Sequence, residues 1–148
     1  MTRDRLKHDA GLVARDCIAT RLRMANRVIT KVYDDALRPL GLKVSQMAML
    51  AVAADRGLIR QSEVGAELQL DDSTLSRNLE LMRANGWLEA VPGDDLRVHS
   101  YCLTEVGRSL LNKALPAWRK AQAEAKGLLG NAGVQALRCF ARAQGFEG

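Results

Sequence analysis

One stretch of the sequence, residues 61–104, constrains the fold of the whole chain most strongly. It predicts a short helix that begins near Ser62, a break at Leu70-Asp71-Asp72, a longer helix over residues 73–85 and then a small hairpin. In the longer helix, apolar side chains recur at intervals of four and three, so one face is directed towards a core. The side chains of that stripe are Leu75, Leu79 and Met82. This order of elements predicts a winged helix-turn-helix.

The opposite face of the longer helix begins with small polar side chains and an arginine. Hydroxyl groups can bind base edges in the major groove of DNA, and a guanidinium can span guanine O6 and N7 or bind a phosphate. Asp and Ser are also favoured at helix N-termini, so capping alone is the simpler alternative. The candidate DNA contacts on this face are Ser73, Thr74, Ser76 and Arg77.

The predicted hairpin consists of two segments rich in strand-forming residues, 87–91 and 98–103, joined by the turn Pro92-Gly93-Asp94-Asp95. Asp95 and Arg97 are two residues apart and therefore on the same side of an extended strand, where the carboxylate can orient the guanidinium. An arginine held in this way on a wing can probe the minor groove. The alternative is an ordinary exposed ion pair.

Several of these motifs, in this order, resemble the MarR (multiple-antibiotic-resistance repressor) family of bacterial transcription regulators. The resemblance covers nearly the whole chain. It implies a homodimer that binds a pseudo-palindromic operator in double-stranded DNA, with the recognition helix in the major groove and the wing arginine in the minor groove. It further implies release by a small phenolic or other aromatic effector, or by oxidation of a cysteine. The segments that carry it are Leu40-Gly41-Leu42-x-x-Ser45-Gln46, Leu70-Asp71-Asp72-Ser73-Thr74-Leu75-Ser76-Arg77, Asn85-Gly86-Trp87-Leu88, Asp95-x-Arg97 and Leu103-Thr104-Glu105-x-Gly107-Arg108.

The chain departs from the family pattern at two places that bear on phosphate contact. The wing is about two residues shorter than usual, and Leu96 lies where many members carry a further arginine. Asp72 occupies a position that is often basic in the family. A carboxylate there is expected to cap the recognition helix and to repel the phosphates, so the departures predict weak backbone contact.

Amphipathic helices are predicted on both sides of this region. Over residues 9–37, apolar or small residues alternate at intervals of four and three, close to a coiled-coil period. The C-terminal segment, residues 104–145, is expected to begin with Thr104 as an N-cap and to break at Gly130-Asn131. Its internal proline, Pro116, is expected to kink the helix. One small core cannot cover so much apolar surface, which predicts a two-fold dimer through both terminal segments.

Length and composition favour a single helical domain. A chain of 148 residues fits one domain, and a hydrophobic content of 47% with only 4% aromatic residues favours an aliphatic, helical interior. We therefore predict one domain, residues 1–148, that is mainly α with a small two-stranded β wing. Residues 44–104 would form the winged helix-turn-helix, and the segments 9–37 and 104–145 the dimerisation helices.

The net charge of +5 does not by itself support DNA binding, because of where the charges lie. The segment 46–104 carries nine Asp or Glu residues and five Lys or Arg residues, so the excess of basic residues lies in the flanking helices. The DNA-binding prediction therefore depends on the motif alone. The acidic segment keeps a second hypothesis open, a winged-helix module that binds another protein without specific DNA binding.

Several other functional classes find no support in the sequence. A charged N-terminus and the lack of an apolar run of about 20 residues predict a cytoplasmic protein with no membrane partner. Cys17, Cys102 and Cys139 form no Cys-x-x-Cys pair, and only His8 and His99 could assist them, so neither a metal nor another cofactor is predicted. There is no catalytic motif, and we do not expect an enzyme.

A release signal has two candidate sites in the sequence. Cys17 lies near the start of the first long helix, in the region where peroxide-sensing relatives place a reactive thiol. It could instead be a structural thiol or, as a third hypothesis, the peroxidatic thiol of an enzyme, although no acid or base motif accompanies it. Trp118, Arg21 and Met47 are candidates for an effector cleft, and each is equally explicable as a core or interface residue.

Overall fold

The computed structural model describes residues 3–92 and 99–145 of the chain. Within these ranges the chain is mainly helical, with one small antiparallel sheet, which confirms the predicted winged helix with long terminal helices. A short 3-10 turn, Arg38–Leu40, follows the second helix. The helices are α1 (Arg3–Asp16), α2 (Ile18–Leu37), α3 (Val44–Arg56), α4 (Gln61–Leu68), α5 (Asp72–Ala84) and α6 (Glu105–Ala143), and the strands are β1 (Leu58–Arg60), β2 (Leu88–Val91) and β3 (Ser100–Leu103).

The sheet has one strand more than predicted. Its order is β1-β3-β2, and Tyr101 of β3 lies opposite Ile59 on one side and Ala90 on the other, in antiparallel register. The extra strand β1 has three residues, too few for a two-residue alternation to be visible in the sequence. It follows Gly57, whose φ of 77° ends α3. Through β1, the base of the wing is hydrogen-bonded to the segment that leads into α4.

The buried face of α5 belongs to the main hydrophobic core. Leu75, Leu79 and Met82 are all buried, as predicted, and α5 begins and ends one residue earlier than the sequence indicated. Burial of each such side chain contributes about 1.5 to 3 kcal/mol. The helix therefore cannot rotate about its axis without losing several of these contributions. Other fully buried large side chains of the core are Leu37, Met49, Leu50, Ile59 and Val64.

The helix predicted over residues 9–37 is divided at Cys17, so the prediction of one continuous helix is wrong. Cys17 has an extended backbone with ψ of 111°, and the Arg21 guanidinium bridges the break. Its Nε donates to the Arg15 carbonyl at 3.0 Å, and its Nη2 forms an ion pair with Asp16 at 3.1 Å. An arginine that satisfies a terminal carbonyl stabilises the end of α1. The apolar stripe continues through the break and gives no sign of it.

Both terminal segments leave large apolar side chains exposed. α1 buries none of its residues and α2 buries only Leu37. In α6 the backbone remains helical through Pro116 and departs from helical angles at Gly130 (φ 67°, ψ 169°), where a break was predicted. No helix in the described part of the chain is long and apolar enough to cross a membrane. The exposed apolar side chains of these helices include Ile18, Leu22, Met24, Val28, Leu128, Leu137 and Phe140.

The segment that follows α5 is hydrogen-bonded to the start of α6. Thr104 is the N-cap of α6, as predicted, because its Oγ1 accepts from the Gly107 N–H at 3.0 Å. The Thr104 backbone N–H donates to the Trp87 carbonyl at 3.1 Å. Gly107 allows this close approach, since a Cβ there would lie only 2.2 Å from the Trp87 carbonyl oxygen. The first turn of α6 therefore fixes the segment between α5 and the wing.

We predict that Gly107→Ala lowers the free energy of unfolding by about 1 to 3 kcal/mol, the usual cost of overpacking. Its matched control is Gly127→Ala in the same helix, where a Cβ would meet no atom within 4 Å. That change should be neutral or raise stability by up to about 1 kcal/mol, because alanine is the better helix former. Urea unfolding at equal protein concentration measures both. Equal midpoints for the two variants would contradict the close packing of α6 on Trp87.

Candidate nucleic-acid interface

The helix α5 is capped by Asp71, one residue before the expected cap. One carboxylate oxygen of Asp71 accepts from the Thr74 N–H at 2.9 Å and from the Ser73 hydroxyl at 2.6 Å, and the other accepts from the Thr74 hydroxyl at 2.6 Å. The Ser73 hydroxyl, followed by the Thr74 hydroxyl and N–H, holds the pKa of the Asp71 carboxyl far below its ordinary value. The prediction that Asp72 caps the helix is wrong; it lies in the first turn.

Ser73 and Thr74 are therefore part of the cap as well as of the outer surface. Ser73 is exposed and Thr74 is half-buried, and both hydroxyls are oriented by the same carboxylate. Ser and Thr side chains in the first helical turn commonly satisfy the cap residue in this way. The local interactions that start the helix thus also fix the rotamers of two of the predicted DNA contacts.

Ser76 is held from the side by a residue that sequence reasoning did not select. The Gln61 side-chain amide donates to the Ser76 Oγ at 3.2 Å, and the Gln61 backbone N–H donates to the His99 carbonyl at 3.0 Å. Gln61 therefore connects α5 both to α4 and to the start of β3. The sequence offered no signal for it, because a polar residue at the first position of a helix is usually solvated.

A second glutamine, Gln46 of α3, supports α5 from its buried side. Gln46 retains only 3% of its exposure, its side-chain oxygen accepts from the Lys43 N–H at 3.0 Å, and its amide group donates to the Asn78 side-chain oxygen at 3.3 Å. A buried amide with both ends satisfied fixes the distance and rotation between α3 and α5. In the sequence, Gln46 appeared only within a motif of the family resemblance, since apolar periodicity cannot locate a buried polar side chain.

Arg77 projects from the exposed face between these supports. It is exposed, and it forms no ion pair or side-chain hydrogen bond with any residue of the ranges 3–92 and 99–145. Glu80 follows Arg77 by three residues and so lies next to it on the helix surface, and a further carboxylate, Asp72, lies in the first turn of α5. The outer face of α5 thus offers the Arg77 guanidinium, three hydroxyls and the carboxylates of Asp72 and Glu80. Asp95 and Arg97, the predicted wing contacts, lie outside the described residues.

Comparisons with known proteins identify the family, although no family model matches. The M. tuberculosis transcriptional regulator MosR, solved in complex with DNA, is 36% identical, with a TM-score of 0.70, over 84% of this chain and 98% of that chain. A mutant of E. coli MarR complexed with operator DNA is 20% identical over 89% of this chain and 96% of that chain, with a TM-score of 0.76, and so shows likeness of fold. The chain belongs to the MarR family of transcriptional regulators.

A curated relative agrees with this assignment. An uncharacterised HTH-type transcriptional regulator of Bacillus subtilis (strain 168), YwoH, is 30% identical over 79 residues, which is 53% of this chain. The chain spans 58% of the length of that relative. These relatives of the chain are transcriptional regulators rather than enzymes.

A cavity of about 640 Å³ lies between α3 and α6 of this MarR-family chain. Met47 and Trp118 both line it, as proposed from the sequence, together with Leu111 and Leu115. Its volume is within the range of small-molecule sites, and most of its lining is apolar. Arg21, the third candidate, does not line the cavity and instead bridges α1 and α2.

The three cysteines are free thiols with different surroundings. At Cys17, the Thr20 hydroxyl, with backbone N–H groups of the first turn of α2, lowers the pKa of the thiol. At Cys102, burial and then the Glu89 carboxylate, which accepts from the thiol at 3.3 Å, raise the pKa. Within the described ranges, no three potential ligands are grouped to hold a metal ion. The surroundings of Cys17 therefore favour the nucleophilic thiolate more than those of Cys102 do.

We predict that Asp71→Ala lowers the urea midpoint at pH 7, whereas Asp71→Asn lowers it much less, because asparagine caps about as well as aspartate. A depressed carboxyl pKa contributes stability that is fully present above the unfolded pKa of about 3.9 and is lost as the pH falls through the folded value. The difference between wild type and Asp71→Ala should therefore be constant from pH 7 to 5 and narrow towards pH 3. A difference that does not change over this range would contradict the charged cap.

Proposed function

We propose that the chain is a sequence-specific, double-stranded DNA-binding transcriptional repressor that acts as a homodimer on a pseudo-palindromic operator. One observation carries the proposal: the exposed face of α5, with Arg77 projecting from it, is held in one orientation by Asp71, Gln61 and Gln46. A helix presented in this way can enter the major groove. The DNA complexes of relatives support the same use of the fold.

In this proposal the residues of α5 read the major groove. Arg77 supplies donors for guanine O6 and N7 or for a phosphate, and the Ser76 hydroxyl contacts a base edge or a phosphate. The hydroxyls of Ser73 and Thr74 contact base edges. On the wing, Arg97, braced by Asp95, enters the minor groove. This assignment of the wing depends on the sequence motif, since both residues lie outside the described ranges.

The homodimer is proposed from the exposed apolar surface of the terminal helices. Ile18 is 72% exposed and Phe140 is 58% exposed, and similar side chains lie on the same helices. A second copy of the chain can cover both surfaces through a two-fold axis. Such a dimer would place two α5 helices for half-sites about one turn of DNA apart, 34 to 36 Å.

We predict that the intact protein has twice the mass of one chain by light scattering at micromolar concentration. Removal of residues 131–148 should expose apolar surface and abolish specific binding before the helix-turn-helix unfolds. The far-UV circular dichroism of the truncated protein serves as the control for folding. A monomeric mass for the intact protein would contradict the proposed dimer.

The DNA contacts are tested with Arg77→Ala on an operator recovered by selection from a random duplex pool. Loss of a base contact should cost about 1 to 3 kcal/mol per half-site and relax the preference at one position. Arg119→Ala on α6 removes the same charge far from α5 and should leave the preference intact. If Arg77→Ala and Arg97→Ala both bind the operator as tightly as wild type at constant salt, DNA reading by these residues is wrong.

The second candidate function, a protein-binding winged helix, is favoured by the excess of acidic over basic residues in the segment 46–104. A gel shift separates the two functions. A protein-binding module would fail to enrich any duplex from a random pool, whereas the proposed regulator enriches an inverted repeat.

Release from DNA is proposed to follow either a small aromatic ligand or oxidation. The ligand would occupy the cavity lined by Met47 and Trp118, whose apolar surface fits an aromatic ring. A titration with salicylate that leaves operator affinity unchanged would count against a phenolic effector. Oxidation would occur at Cys17, whose thiolate attacks the O–O bond of a peroxide to give a sulfenate and water.

We predict that hydrogen peroxide releases the wild-type protein from its operator and that Cys17→Ser abolishes the response. Cys102→Ser is the matched control and should retain the response, because burial and the Glu89 carboxylate raise the pKa of the Cys102 thiol and so disfavour the reactive thiolate. The measurement is fluorescence anisotropy of labelled operator before and after oxidation. Release of Cys17→Ser by peroxide to the wild-type extent would exclude Cys17 as the sensor.

A further inference from the structure

The cap of α5 fixes the direction of two hydrogen bonds on its outer face. Both oxygens of the Asp71 carboxylate are occupied, one by the Ser73 hydroxyl and the Thr74 N–H, the other by the Thr74 hydroxyl. An ionised carboxylate has no proton and can only accept. The two hydroxyl groups must therefore be the donors, and each has a single proton to give.

This removes the donor capacity of both hydroxyls towards DNA. A hydroxyl that has given its proton retains only lone pairs. In the major groove such an oxygen can pair with the amino groups at adenine N6 and cytosine N4, but not with guanine O6 and N7 or thymine O4. Phosphate oxygens are acceptors as well. Ser73 and Thr74 are consequently unable to donate to the DNA backbone while Asp71 holds them.

Ser76 has the opposite polarity on the same helix. Its Oγ accepts from the Gln61 amide at 3.2 Å, so its own proton remains free. Ser76 can donate to a base acceptor or to a phosphate, as the guanidinium of Arg77 can. The helix therefore presents two acceptors in its first turn and donors in its second.

We propose that Asp71 is a specificity-determining positioning residue, which holds Ser73 and Thr74 as acceptors and so selects adenine or cytosine over guanine or thymine on the nearer DNA strand. The inference depends on the proposed function, because it requires α5 to lie in the major groove. Asp71 itself touches no base. It acts through the hydroxyl protons that it accepts.

Asp71→Asn tests the proposal without removing the cap. An asparagine has one accepting oxygen and one NH₂ donor, so one of the two hydroxyls must accept from the amide and regains its proton. Asparagine caps about as well as aspartate, and the helix is retained. Asp72→Asn is the matched control, because it removes the same charge at the next position. Asp72 forms no side-chain hydrogen bond with another residue of the described ranges.

Selection from a random duplex pool with the three proteins gives the readout. Wild type and Asp72→Asn should enrich the same bases, although Asp72→Asn binds all duplexes more tightly. Asp71→Asn should shift the ratio of adenine and cytosine to guanine and thymine at one position of each half-site. The expected shift is roughly three- to tenfold, which corresponds to the net free energy of one hydrogen bond. Purine in place of adenine at that position should weaken wild type by the same factor and leave Asp71→Asn unaffected.

Two results would overturn the inference, and they are distinguishable. If all three proteins enrich one identical motif, the hydroxyl polarity does not set specificity, and the proposed function stands. If none enriches a motif, α5 does not read DNA and both proposals fail. If Asp71→Asn unfolds, Ser73→Ala and Thr74→Val test the same inference. Loss of the hydroxyl oxygen should remove the preference for adenine or cytosine at the position that it contacts. An unchanged preference contradicts the inference.

Discussion

The rest of the structure depends on how α5 is held between an apolar core and two glutamine side chains. Leu75, Leu79 and Met82 fix its rotation by burial, and Gln46 and Gln61 fix its flanks through hydrogen bonds at 3.3 and 3.2 Å. Apolar contacts are non-directional and alone would tolerate small rotations of α5 about its axis. The hydrogen bonds of the buried Gln46 amide, which is paired at both ends, do not tolerate them. The geometry of the outer face follows from this support. A reading helix needs it, since base contacts require side chains placed to within a fraction of an ångström.

The charge of the outer face reflects two competing requirements. The start of a helix favours a carboxylate, because its N–H groups are unpaired and its dipole is positive there, and Asp71 meets this need. The phosphates of DNA disfavour the same charge. With Asp72 and Glu80 nearby, the surface of α5 gains little from general electrostatic attraction. Discrimination therefore has to come from directed contacts, those of Arg77 and of hydroxyls whose proton positions are set by their neighbours.

The sequence predicted best what repeats along the chain. The stripe of α5 placed the helix within one residue, and glycines at the ends of α3 and α5 marked the turns, because only glycine adopts positive φ without strain. Prediction from the sequence failed where a structural feature depends on one interaction rather than on a repeated pattern. The strand β1 is too short to show alternation, and the break of the first helix at Cys17 depends on one arginine, Arg21. Asp71 rather than Asp72 is the N-cap because the backbone of Asp71 is extended, whereas Asp72 is already helical. Gln46 and Gln61 act through partners distant in sequence, which no local pattern reveals.

Chemical protection of the operator duplex tests most directly whether α5 lies in the major groove of both half-sites. Dimethyl sulfate methylates guanine N7, in the major groove, and adenine N3, in the minor groove. Bound protein should protect guanine N7 within each half-site, in two patches about 10 base pairs apart, and adenine N3 where the wing enters the minor groove. Reactive guanine N7 atoms throughout both half-sites of a bound duplex would contradict this placement of α5.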